Sequence, residues 1–566
     1  MTKDKRFNWR FCLCCGIFIW FVVNLLQGIF TEIHEDEAYY HLYGEHLAWG
    51  YFDHPPLVGL MTFLSSIFFP GTLGVRFFTI VASCLSLWVM WEISDQERND
   101  AKKKEPVLFF ILAFSIVMFN IYGFITTPDS SLILFSALFL LVYQRYLEQN
   151  TWSRALLMGV IMACMVYSKY HAVLFLGLIV LSNLKLLKDG KFWLACLLAL
   201  ALLMPHVLWQ VNNDFPSFKY HLSQRSEPFR WSYFLEYLPN QLLIFNPFTF
   251  GALVYVLLRN SVQSTFERGL KFILIGFFFF FWLMAFRGHV EPHWTIVCCI
   301  PTVVLAYRRA LVDDKLWRYT QRFVLPSILL IVALRIIVLT PLADRFGYHG
   351  KEARYQAIEA VAGDAPVVFR GSFQQPSLYH YFTGKSSSSL KAYYDRKTQF
   401  DLWQFDKTWT GRPVFICGHV AERSQNFEHN GISVTGYLME HFQSPNRLVS
   451  DFNIVNRDAE EPLVLHYGDT LHITFSIYNP LAVPYVFQHE EMGTRISLLY
   501  QLADRASYCY YDDDITIEPH STYLGSLFTI VNGQIPAGHE RLMLCLGDGV
   551  SSFTTEENYI DVVIKE

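Results

Sequence analysis

Charge is what this chain has least of. Asp, Glu, Lys and Arg make up 17% of its 566 residues, against roughly 25% in ordinary soluble domains. The net charge is −5 and no long basic tract occurs, so nucleic acid is excluded as a partner. A glycine-rich phosphate loop, a dinucleotide fingerprint and a Ser-His-Asp order are all missing, which argues against soluble nucleotide enzymes and triad hydrolases. Most of the cysteines (Cys12, Cys14, Cys15, Cys84, Cys164, Cys196, Cys298, Cys299) lie inside apolar runs and read as small packing residues.

Apolar sequence takes the place of charge: 52% of residues are hydrophobic and 17% aromatic, with a mean hydropathy of +0.25. Basic residues precede the run Phe11 to Phe30. That run has spanning length without a small-x-small cleavage site, so it reads as an uncleaved first span. Spans are predicted near 11–30, 73–94, 106–122, 130–147, 154–168, 170–187, 192–209, 239–258, 270–286, 294–307 and 323–340, about eleven in all. The pair meeting at Ser168–Lys169 also reads as one long helix. Leu57 to Phe69 is too short to span and reads as an interfacial helix.

Lysine and arginine sort to alternate breaks: Arg98 with Lys102–Lys104, Arg145 with Arg154, Lys185 with Lys188 and Lys191, Arg259 with Arg268 and Lys271, and 308–322. The positive-inside rule places these in the cytoplasm. The remaining breaks, facing outward, hold every conspicuous polar motif: residues 31–56, 127–129, 168–171, 210–238 and 287–294. That sorting predicts one external site.

Beyond residue 341 the apolar runs shorten to strand length. The expected organisation is a membrane domain at 1–340, an α/β module at 341–448 and a β-sandwich at 449–566, and an odd number of spans places both of the latter on the outer, periplasmic side. Cys509 and Cys545 fall in the sandwich, where pairing is left open.

Carboxylates beside hydrocarbon need a partner, water or a cation. Asp36 and Glu37 follow the first span directly, as a general base or as solvated interface carboxylates. Pro55–Pro56 fix Asp53 and His54 in a rigid turn, suited to holding a divalent cation, to an acid pair, or to a structural turn. Asp129 follows Pro128 as a helix N-cap does. Lys169, in an apolar stretch, calls for an anionic partner: a phosphate, or one of these carboxylates. His221 and Arg225 lie in one outer loop, Arg287, Glu291 and His293 in another; they are phosphate or metal ligands, or ordinary loop polarity.

An external site cannot easily use a nucleotide-sugar donor, whereas a lipid-linked donor would place its phosphate at the interface. Asp-Glu-Ala-Tyr-Tyr at 36–40, Tyr-Phe-Asp-His-Pro-Pro-Leu-Val at 51–58, Thr-Pro-Asp at 127–129 and Ser-Lys-Tyr at 168–170 occur in an ordered series. That series resembles the family-39 type of GT-C membrane glycosyltransferases: dolichyl-phosphate-mannose–protein mannosyltransferases and bacterial aminoarabinose transferases. The resemblance covers roughly residues 1–340. It implies a multispan α-helical fold with an outward cavity, a polyprenyl-phosphate sugar donor, and inverting transfer to lipid A, protein or a surface glycan at a bacterial inner membrane. It also implies Asp36, with Glu37 beside it, as the catalytic carboxylate, and Lys169, Arg225 and His54 as donor-phosphate contacts. Asp53 and His221 would form a divalent metal site; from their place on the outer breaks, Asp129, Arg287, Glu291 and His293 are expected to line the same cavity. Asp53–His54 stands where the aminoarabinose enzymes carry Glu-Lys, so His54 lacks a lysine's constant charge. A transporter or flippase of a lipid-linked sugar is the rival reading, though no internal repeat supports it.

Overall fold

The computed structural model describes residues 8–95, 105–221, 229–259, 262–346, 348–390, 397–419, 423–444, 447–455, 463–487, 494–502, 505–511, 514–531, 537–548 and 552–565. The chain divides into two compact units, Met1–Lys351 and Glu352–Glu566.

The first unit is helical. Among the described residues, its polar breaks carry short structured segments. α1 (Trp9–Phe30) is followed by α2 (Glu35–Glu45) and α3 (Leu57–Phe68). With 12 residues, α3 is about 18 Å long at 1.5 Å per residue, too short to span. α4 (Gly71–Asp95) is the longest uninterrupted helix of this unit. Residues 106–122 are split into α5 (Pro106–Phe114) and α6 (Val117–Ile121). α7 (Pro128–Glu148), α8 (Trp152–Ser168), α9 (His171–Ser182) and α10 (Gly190–Asn212) follow. The chain breaks between α8 and α9 at Lys169–Tyr170, so two helices stand where one long helix was the alternative.

A short α11 (Pro216–Lys219) precedes α12 (Trp231–Phe245) and α13 (Pro247–Arg259). Those two meet at a 100° bend. Pro247 prevents α12 from continuing, and Asn246 adopts a left-handed φ of 65°. α14 (Thr265–Met284), α15 (Cys299–Ala310), α16 (Asp314–Tyr319) and α17 (Leu325–Val338) complete the unit.

Among the described residues, five helical segments are long and apolar enough to cross a bilayer, or six if the bent α12–α13 pair is one span. The sequence predicts about eleven spans. The difference lies in elements such as α5, α8 and α9, which the chain breaks before they reach spanning length. Arg335 shows how α17 is tied in: its guanidinium donates to Asn24 Oδ1 (2.8 Å), Asn120 Oδ1 (3.3 Å) and Gln27 Oε1 (3.4 Å). Amides thus solvate a charge that would be costly in hydrocarbon.

The second unit begins with an α/β module. Its five-stranded sheet runs Ser387–Leu390, Val367–Arg370, Val414–Cys417, Ile432–Met439 and Gln425–His429. The first three strands are parallel and the last two antiparallel. Next comes a five-stranded sheet in which Arg505–Tyr511, Thr494–Leu502, Gly538–Asp548 and Ser552–Lys565 pair antiparallel and Leu463–His466 closes the edge in parallel. A three-stranded sheet (Thr522–Ile530, Thr470–Tyr478, Val449–Ile454) contributes to the same buried core, with Ile473, Phe475 and Ile477 from one sheet and Leu542, Leu544 and Val562 from the other. Alternate residues of Thr470–Tyr478 are buried, the period-two pattern of a strand with one face in the core. Cys545 is a buried free thiol.

Candidate functional site

The N-terminus of α2 is built around Glu37. His34 caps the helix: its ring accepts from Asp36 N at 3.2 Å, and Glu37 reaches back to His34 N at 3.1 Å. Glu37 is fully buried and also accepts from Arg76 Nε (2.8 Å), Arg76 Nη2 (2.5 Å) and Thr126 N (2.9 Å). The remaining donors of Arg76 reach the carbonyls of Gly28, Thr31 and Glu32. One bidentate pair therefore binds the end of α1, the start of α2, α4 and the segment before α7. Glu37 has no oxygen left for a substrate proton, which corrects its expected place beside Asp36 as a catalytic group. Asp36, one residue earlier and so about 100° round the helix, keeps a side chain 42% exposed, with His34 Nδ1 at 3.7 Å.

The proline-bounded turn rests on stacked tyrosines. Tyr43 lies 3.8 Å from Tyr51, centroid to centroid, and donates to Asp53 Oδ1 at 2.7 Å. Tyr51 donates to the Tyr43 carbonyl at 2.7 Å, and Ser217 donates to the Tyr51 carbonyl at 2.9 Å. Tyr40 and the His54 ring are hydrogen-bonded at 3.2 Å. His221 Nε2 lies 3.1 Å from the backbone carbonyl of Asp53.

Asp129 is in the first turn of α7, where its charge suits the helix dipole. It makes no side-chain cap; instead Lys169, from the α8–α9 break, donates to Asp129 Oδ2 at 2.7 Å, both groups buried. His293 approaches the same oxygen at 3.8 Å and packs edge-on against Tyr122. Asp129 Oδ1 is buried and has no hydrogen-bond partner among the described residues.

Electrostatics shows that these groups share one neighbourhood. Burial raises the Tyr40 hydroxyl well above its ordinary range, reinforced by Asp36, Asp53, Tyr122 and Asp129. Burial lowers the His54 imidazole to about 4; Asp53 and Asp129 oppose that shift, while Lys169 and His221 add to it. His54 is therefore neutral near pH 7 and cannot supply the cation expected of it for a donor phosphate.

Asp36, Asp53, His54, Asp129, Lys169, His221 and His293 thus come from five separate breaks in the helical unit to one region. Arg287 is exposed, and Glu291 faces His289 at 3.8 Å. Arg225 lies outside the described residues. At the expected metal pair, Tyr43 donates to Asp53 Oδ1 and the His221 ring nitrogen Nε2 faces the Asp53 backbone carbonyl. No group of three His, Cys, Asp or Glu side chains able to hold a metal occurs among the described residues.

Sequence reasoning singled out neither Arg76 nor Tyr43, and it named Tyr40 and Tyr170 only as members of the motifs at 36–40 and 168–170. Tyr170 takes hydrogen bonds from Gln210 at 3.1 Å and pairs with the His206 ring at 3.2 Å. The available signal for Arg76 was a lone arginine inside the predicted span 73–94. Tyr43 gave none, being lost among abundant aromatics, whereas Tyr40 and Tyr170 stand inside the quoted motifs.

The chain has the GT-C fold. The structure of ArnT from Cupriavidus metallidurans in the apo state superposes with a TM-score of 0.56 at 12% identity, covering 75% of this chain and 97% of that one. ArnT from Cupriavidus metallidurans bound to undecaprenyl phosphate gives a TM-score of 0.58 at 13% identity, covering 76% and 98%. Residues 53–209 match the model of the dolichyl-phosphate-mannose-protein mannosyltransferase family. The resemblance read from the motifs at 36–58, 127–129 and 168–170 therefore holds, and the chain is a multi-pass membrane protein. No curated protein matches the sequence significantly.

Proposed function

We propose that the protein transfers a sugar from a polyprenyl-phosphate donor to a hydroxyl of an envelope acceptor on the outer face of a bacterial inner membrane. The single observation that carries this reading is that an accessible carboxylate, Asp36, and the Asp129 of the buried Lys169–Asp129 pair both act on the Tyr40 hydroxyl. The undecaprenyl phosphate bound to the matching ArnT structure supports the donor class.

In this mechanism Asp36 accepts the proton of the acceptor hydroxyl as its oxygen attacks the anomeric carbon. The bond from that carbon to the phosphate oxygen breaks on the opposite face, the configuration inverts, and polyprenyl phosphate leaves with the electron pair. Lys169 commits one of its three N–H donors to Asp129; the others are available to the departing phosphate, where developing charge is worth most to stabilise. Asp129 acts as a positioning residue, holding the ammonium in place. Glu37 and Arg76 likewise position Asp36. The acceptor is lipid A, a protein or a surface glycan, and the sugar a hexose or pentose.

Purified protein with labelled polyprenyl-phosphate sugars and an envelope extract tests the proposal. Sugar incorporation that disappears in Asp36→Asn, with donor binding retained, is the expected result. Normal turnover by Asp36→Asn removes that residue's role. Absence of transfer from any polyprenyl-phosphate sugar removes the enzyme class.

A further inference from the structure

The α/β module contains a cavity of about 400 Å³ that the transfer site does not use. It lies at the carboxyl ends of two neighbouring parallel strands. Arg370 ends Val367–Arg370, and Cys417 ends Val414–Cys417 with Gly418 and His419 beyond it. From Val367–Arg370 the chain goes to Ser387–Leu390 on one side, while Val414–Cys417 pairs on the other. The strand order reverses there, and in open α/β sheets such a crevice is where ligands bind.

Its lining is one-sided in charge. Arg354, Arg370, Gln375 and His419 bring hydrogen-bond donors, and no carboxylate is among the lining residues. Arg370 donates to the His419 carbonyl at 2.9 Å, and Arg354 lies over the Tyr355 ring. Neither guanidinium has a carboxylate partner among the described residues. Helix Gln374–Thr383 opens beside the cavity without a side-chain cap, leaving its first amides unclaimed by a side chain. Gly371 and Gly418 have φ of 103° and 123°, and a Cβ at either would meet nothing within 4 Å. Bare backbone at both strand ends therefore leaves room for a ligand to approach closely.

We propose that this cavity is a binding site for a phosphate monoester of monosaccharide size, held by Arg354 and Arg370 and by the start of helix Gln374–Thr383. Paired guanidinium forks match phosphate oxygens, and the volume lies within the range of small-molecule sites. The ester is either a free sugar phosphate or the headgroup of a phosphorylated lipid.

Cys417 gives the site its own reporter, since it lines the cavity and is a free, half-buried thiol. Full-length protein in detergent is alkylated with N-ethylmaleimide, and modification at Cys417 is followed by peptide mass spectrometry. Glucose 1-phosphate slowing Cys417 modification at least fivefold, with glucose having no effect, supports the site for a free ester. Protection only by vesicles containing phosphatidic acid, and not by phosphatidylcholine alone, supports it for a lipid headgroup. Arg370→Gln and Arg354→Gln should each abolish protection at an unchanged elution volume, and Arg370→Lys should retain part of it. Equal protection by glucose, no protection by either ester, or protection that survives both glutamine variants overturns the proposal. Sugar transfer by Asp36 is not read in this assay, so the two proposals fail separately.

Discussion

The ammonium of Lys169 lies 2.7 Å from Asp129 Oδ2, with the two side chains 7% and 2% exposed. The pair joins the α8–α9 break to the start of α7. Removing one member leaves an uncompensated charge in low dielectric, whereas removing both does not. Lys169→Met or Asp129→Asn should each cost about 3–5 kcal/mol, and the double variant should recover at least half of that. Thermal unfolding in detergent measures all three, and strictly additive losses would show that the two groups are not coupled. Transfer should be lost in every variant carrying Lys169→Met.

Glu37 and Asp36 are adjacent in sequence and opposite in setting, one fully buried and the other partly exposed. Glu37→Gln breaks the fully buried pair with Arg76, so a loss on the order of 3–5 kcal/mol is expected. Asp36→Asn, at a partly exposed position, should change stability by no more than about 0.5 kcal/mol. Melting temperature and single-turnover rate, measured on the same preparations, should therefore separate the two. A stable Glu37→Gln protein would remove the proposed strut.

His54 has its imidazole lowered to about 4 from the ordinary value of 6.5, chiefly by burial. The unfolded chain therefore takes up this proton first. The contribution is fully present above pH 6.5 and is lost as pH falls from there through 4. His54→Gln, which keeps a neutral hydrogen-bonding group, should flatten the stability profile across that window. Unfolding followed between pH 4 and 7 is the check, and an unchanged slope in the variant would contradict it.

Glu540 in strand Gly538–Asp548 is 3% exposed, and neither carboxylate oxygen has a partner among the described residues. Burial raises its carboxyl to about 7 from 4.5. Here the folded state holds the proton more tightly. Its contribution is present below pH 4.5 and is lost as pH rises through 7. Hydrogen exchange of this strand, corrected for intrinsic rate, should show protection falling between pH 5 and 8. Glu540→Gln should abolish the fall, and a variant that still loses protection would place the cause elsewhere.

The legible parts of this protein were those with a strong local signal. Long apolar runs marked α1, α4, α7 and α10, and paired prolines marked the turn before α3, because solvation and backbone restriction act on neighbouring residues. The acidic and histidine motifs identified breaks that do meet in space. Span lengths around α5, α8 and α9 were less legible, because hydrophobicity continues across a break that only packing makes. The burial of Glu37 beside a partly exposed Asp36 was not legible in composition or spacing, since two adjacent carboxylates look alike until Arg76 and Thr126 bind one.

The sequence alone determined that this is a multispan membrane chain whose apolar runs shorten to strand length in its second half, and that its chemistry-bearing residues gather in alternate breaks. Hydrophobic length and charge sorting are enough for that, since each is paid segment by segment against the bilayer. Only the tertiary structure decided which groups are spoken for. Glu37 is bound by Arg76, Asp129 holds Lys169, and burial keeps His54 neutral. Those outcomes depend on distances between residues far apart in the chain, and in low dielectric a few ångströms decide whether a charge is paired or left to act.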